Sequence, residues 1–144
     1  MRRADRRKTF AFVIAAAMLP AAAWAHHAFA AEFDADKPVK FKGTVKKMEW
    51  INPHAWIRID VKGEGGQSTE WMIEAAAPNA LLRRGWTKQS LLPGTEILVE
   101  GYQAKDGANR ANGSVITFTD GKKLFVGSSA GDPGAAPGTT FKDK

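Results

Sequence analysis

The 144-residue sequence contains no cysteine. That absence excludes a disulfide framework and any thiolate metal site. Histidine is almost as scarce, with His26, His27 and His54 in the whole chain. No apolar run reaches the roughly 20 residues of a membrane-spanning helix. There is no Gly-x-Ser-x-Gly, no phosphate loop and no nucleophile with a base beside it, so no hydrolase or kinase chemistry is signalled. With thiolates gone, the three imidazoles are the strongest transition-metal ligands the chain can offer.

The first residues read as a secretory signal. Arg2, Arg3, Arg6, Arg7 and Lys8 form a basic start, "FAFVIAAAML" over 10–19 an apolar core, and Pro20 a break before small residues. A short membrane anchor is the alternative. Arg6-Arg7 also suits a twin-arginine signal, but Lys8-Thr9-Phe10 fits that pattern poorly, and general export is expected. Cuts after Ala23, Ala25 or Ala30 all satisfy the small-x-small rule. Ala25 is favoured by its distance from the apolar core. It makes His26 the first residue, whose amine and ring nitrogen together offer a chelate. A cut after Ala23 places His26 third, which suits a square-planar copper(II) site. A cut after Ala30 discards both histidines. The expected location is the periplasm, with no membrane attachment after cleavage.

Removing residues 1–25 takes away five basic residues and one acidic residue. The net charge falls from +6 to +2, with 16 basic and 14 acidic residues left. The high pI therefore belongs largely to the signal and gives no reason to expect nucleic acid. The remaining chain is long enough for one domain with its own core.

"VKFKGTV" over 39–45 alternates, with Val39, Phe41, Gly43 and Val45 on one face. "AWIRIDV" repeats the pattern with Ile57, Ile59 and Val61 inward and Trp56, Arg58 and Asp60 outward. "GEGG" turns the chain into a third strand, "STEWMIEA", with Trp71 and Ile73 inward and Glu70 and Glu74 together on its outer face. Pro78 and Gly85 bracket a helix of about two turns. "EILVEGY" is a fourth strand, "AKDGANRANG" over 104–113 a polar loop, and "SVITFTDGKKLFV" a hairpin about Asp120-Gly121. The expected division is a signal over 1–25, an arm over 26–37, a domain over 38–127 and a flexible tail over 128–144. Three strands, a short helix and further strands suit an all-β, mainly antiparallel OB-like barrel with its helix between strands three and four. A two-sheet β-sandwich is the alternative.

The stretches "HHAFAAEFD", "GTVKKMEWINPHAWIRIDV", "PNALLRRGW", "LLPGTEILVEGYQAKDG" and "DGKKLFVG" resemble a family of small exported bacterial proteins carried as a domain of unknown function. The resemblance covers nearly all of 26–127, and Asn52-Pro53-His54 is its most specific part. It implies export and a fold, but no reaction. The matching positions are His26 or His27, Asn52, Pro53 and His54.

His26 and His27 next to a terminal amine offer up to three nitrogen donors; the plainer reading is a solvated terminus. Asn-Pro starts turns, so His54 is otherwise a loop residue between strands one and two. Trp50 and Trp56 flank it and are expected to wall a pocket, with Asn52 positioning the loop. If the arm folds over the barrel mouth, the three histidines meet. Copper fits such a site best, and zinc fits with one carboxylate of Glu32, Asp34 or Asp36 added. "EFDADK" lacks the length and glycine of a calcium loop. Glu70 and Glu74, about 13 Å apart by strand rise, are too far apart for paired-carboxylate catalysis.

The competing expectation is a module for a small ligand or periplasmic protein partner, using Trp56, Arg58 and Arg110 on the barrel face. Both readings describe a binding protein rather than an enzyme.

Overall fold

The computed structural model describes residues 29–127. The expected signal, His26, His27 and the expected tail over 128–144 lie outside these residues. The order is β1 (Phe33–Glu49), β2 (Trp56–Lys62), β3 (Ser68–Glu74), helix α1 (Pro78–Arg83), β4 (Glu96–Ala104), β5 (Arg110–Phe118) and β6 (Lys123–Phe125). The six strands form one mostly antiparallel sheet in the order β3-β2-β1-β4-β5-β6. A parallel pairing of β3 with β5, from Met72 opposite Arg110 to Glu74 opposite Asn112, joins the sheet back on itself as a ring. Among the described residues there is no second sheet, so the two-sheet sandwich is not formed there.

Alternation drives the arrangement. Along β2, Ile57 and Ile59 are buried and Trp56, Arg58 and Asp60 are half-buried. Val39, Phe41, Val45, Ile57, Ile59, Ile73, Val99 and Ile116 fill the interior. Burial of one such side chain contributes about 1.5–3 kcal/mol, so the inward rows fix the register against a one-residue slip. Trp71 packs on Phe41 with ring centroids 4.7 Å apart, at the margin of this core.

Helix α1 starts with Pro78, whose missing N–H costs nothing at that position. It ends as a Schellman motif. Gly85, at φ +86°, donates to the Leu82 carbonyl and Trp86 to that of Leu81. This turn buries Trp86, whose Nε1 donates to the Phe125 carbonyl at 3.1 Å. The helix is thereby tied to β6.

Two expectations need correction. The strand predicted over 39–45 runs from Phe33 to Glu49, so Phe33 of the expected arm pairs with Ala104 of β4, ahead of an irregular stretch before Pro38. The polar loop predicted over 104–113 ends early, because Arg110–Gly113 belong to β5 and Ala111, Asn112 and Gly113 are buried. Local composition argued for a loop, but the crossing requires small residues. A Cβ on Gly101 would lie 2.1 Å from the Asn112 carbonyl oxygen, and one on Gly113 2.7 Å from Ile73. Close backbone approach, not a turn, explains these glycines.

Candidate histidine site

Cross-strand partners share a face of the sheet. Trp56, Glu74, Asn112, Tyr102 and Pro38 therefore form one row on the outer side of the ring. An outer face normally meets water, yet Glu74 is 6 % exposed, Asn112 2 % and Tyr102 3 %. A helical turn over 29–32 precedes β1 and covers Tyr102 through Phe29. Phe29 packs edge-on against Tyr102 at 5.7 Å and beside Phe33 at 5.9 Å. Phe29, Phe33, Tyr102 and Ala104 make a small second core on the outside of the sheet. The backbone N–H of Lys105 donates to the Glu32 carbonyl at 2.9 Å and fixes the end of the turn.

His54 enters the same place from the β1–β2 loop. Its neighbour Ala55 is bound on both sides: its N–H donates to Ala76 at 3.2 Å, and its carbonyl accepts from Ala75 at 2.8 Å. That pairing brings His54 beside the last residue of β3. The Nδ1 of His54 lies 2.8 Å from Oε1 of Glu74, and one third of the histidine side chain remains exposed. The hydrogen bond to Glu74 raises the His54 pKa from its ordinary value; burial opposes this, and the charges of Glu74 and Glu32 add to it. With Glu74 ionised, Nδ1–H donates, and in the neutral ring Nε2 carries the lone pair. Asn112 lies beside Glu74 in register, and its buried Oδ1 has no hydrogen-bond partner among the described residues.

Glu74 lies on the outer face of β3, as expected, but it is buried there and holds His54. Its neighbours gave the signal: Glu74 stands between Ile73 and Ala75-Ala76 in an otherwise apolar run. A carboxylate so placed is buried only with a partner.

The remaining expected residues scatter. Trp56 shares the Glu74 row. Trp50 packs against the main core and lines a groove of about 440 Å³ with Met48, Leu91 and Pro93; His54 is not among its lining residues. Asn52 is exposed and precedes a cis peptide bond to Pro53. Arg58 is held by Glu49 at 2.9 Å and Glu70 at 2.8 Å, and Lys46 meets Glu70 at 2.7 Å. The hydrogen bonds from Lys46 and Arg58 lower the Glu70 pKa. Arg110 faces Asp106 at 3.3 Å and Glu32 at 3.6 Å. Among the described residues no cluster of three or more histidine or carboxylate side chains is assembled for a metal. No helix among them is long and apolar enough to cross a membrane.

A family model matches residues 13–113, and the chain belongs to that family of unknown function, DUF6152. No curated protein and no solved structure matches it.

Proposed function

We propose that this chain is an exported, periplasmic OB-like barrel that binds a copper or zinc ion through His54 together with His26 and His27. One observation carries the reading: the 2.8 Å hydrogen bond between His54 Nδ1 and the buried Glu74 carboxylate. A ligating histidine typically donates its other ring N–H to a carboxylate, which fixes the tautomer and raises the basicity of the coordinating nitrogen. Here that pairing turns Nε2 into the available donor. The chain that leads to His27 passes through Phe29, anchored on Tyr102. Two residues of chain reach at most about 7 Å. Glu32, on the same turn, contributes a charge at His54.

In this reading Glu74 is a positioning residue, and the first-contact ligands are imidazoles, with the amine of His26 added if cleavage follows Ala25. The OB-like reading rests on the strand circuit β1-β2-β3-β5-β4, with α1 between β3 and β4. The interaction module built on Trp56, Arg58 and Arg110 is the weaker reading, because each guanidinium already faces two carboxylates.

Calorimetric titration of the processed chain with copper(II), then zinc(II), tests the proposal. One ion per chain is expected. His54→Ala should abolish binding, and Glu74→Gln should weaken it about 10–100-fold. Unchanged binding by His54→Ala overturns the reading.

A further inference from the structure

The outer face of the ring carries a second charged surface whose lining does not include His54. Register places Asp60, Thr44 and Glu96 in one rung across β2, β1 and β4. Two residues along, Lys42, Leu98 and Thr117 form the next rung across β1, β4 and β5. Lys62 follows Asp60 by two residues on β2, so it faces the same way at the level of the lysine rung. The two rungs stand about 7 Å apart by strand rise. Together they line a groove of about 480 Å³.

Two features set this groove apart from an ordinary solvated face. First, the opposite charges do not neutralise each other. Among the described residues Lys42, Lys62 and Glu96 form no ion pair, and Asp60 reaches only Lys46, at 3.7 Å. Further along the same outer face, by contrast, Lys46, Glu49, Arg58 and Glu70 are all paired. Second, the Oγ1 of Thr117, in the lysine rung, is buried and has no hydrogen-bond partner among the described residues. A hydroxyl left in that state is costly unless something supplies the missing bond.

We propose that this groove binds a short zwitterion of dipeptide length. Its amine end meets Asp60 and Glu96. Its carboxylate end meets Lys42 and Lys62 and accepts a hydrogen bond from Thr117 once rotation about χ1 turns the buried hydroxyl into the groove. Leu98, between Lys42 and Thr117 in the lysine rung, gives the ligand an apolar contact at that end. A lone anion would be repelled by the carboxylate rung, and a lone cation by the lysines. Length discriminates further. An extended chain spans about 3.3–3.6 Å per residue, so two residues match the spacing of about 7 Å between the rungs.

The test is a chemical-shift titration of the processed full chain with L-alanyl-L-alanine, with its N-acetylated, C-amidated form, and with inorganic phosphate. Saturable shifts at Thr44, Leu98 and Thr117 are expected with the free dipeptide. The capped form should bind about tenfold or more weakly, as should the free dipeptide to Lys42→Gln or Glu96→Gln. Thr117→Val loses no hydrogen bond within the fold, so it should remain at least as stable as the parent while binding the dipeptide less well. No saturable shift up to about 10 mM dipeptide overturns the proposal. So does equal binding of the capped form or of phosphate, or an unchanged affinity in both charge variants.

Discussion

His54 and Glu74 come from a loop and a strand end, yet their Nδ1 and Oε1 lie 2.8 Å apart, with the carboxylate buried beneath the imidazole. This pair ties stability to pH. The hydrogen bond raises the folded-state His54 pKa above its ordinary value of 6.5. The protonated ring is therefore bound more tightly in the folded chain than in the unfolded one. The stabilisation is complete below about pH 6.5 and is lost as pH rises through the raised folded value. Urea midpoints should accordingly fall with rising pH in that window, and Glu74→Gln should flatten the fall. A parental midpoint that rises there, or an identical profile in Glu74→Gln, contradicts the linkage.

Phe29 anchors the turn at 29–32 on the outer side of the sheet. Phe29→Ala removes its contacts with Tyr102 and Phe33. A loss of about 2 kcal/mol is expected, below the roughly 3–5 kcal/mol of a core Phe→Ala change because the site is at the periphery. Hydrogen exchange should quicken at the Lys105 amide, which donates to Glu32, while the amides of Ile57 and Ile59 keep their protection. Uniform loss of protection would show that the second core is not separable from the first.

At the β4–β5 crossing, Gly101 leaves no space for a side chain. Gly101→Ala would put a Cβ 2.1 Å from the Asn112 carbonyl oxygen, against backbone that has no freedom to move aside. The expected cost is about 3 kcal/mol or more, or failure to fold, read from urea denaturation. Gly66→Ala meets no atom within 4 Å, but its φ of +78° is strained for alanine, so a smaller loss is expected there. A Gly101→Ala protein as stable as the parent would refute the close crossing.

The Arg58 network is half-buried at the surface. Arg58→Gln should lower the urea midpoint slightly at low ionic strength, and about 0.5 M salt should erase the difference. A large, salt-independent loss would mean that Arg58 serves the core rather than the surface.

The strands with a clean two-residue period were legible in the sequence. Ile57 and Ile59 are buried as their alternation requires, and Pro78 and Gly85 bracket α1. What escaped was fixed by contacts distant in sequence. Asn112 and Gly113 look like loop residues until β3 is laid beside β5 and Gly101 beneath them. Glu74 looks solvated because its partner, His54, comes from a loop distant in sequence that no local rule places beside it. Phe33 begins β1 through pairing with Ala104, beyond an irregular stretch that breaks the period before Pro38. His54 itself was singled out by residue type, but its partner became apparent only through the Ala55–Ala75–Ala76 pairing.

The most direct test of a histidine-held metal is native intact-mass spectrometry of the exported chain and its His54→Ala variant, with and without added copper or zinc. The mass reports the first residue and the bound ion together. A parental chain beginning at His26 and carrying one ion, beside a metal-free variant, is the expected result. A parental chain that begins at Ala31, or one that keeps both N-terminal histidines and stays metal-free, would contradict it.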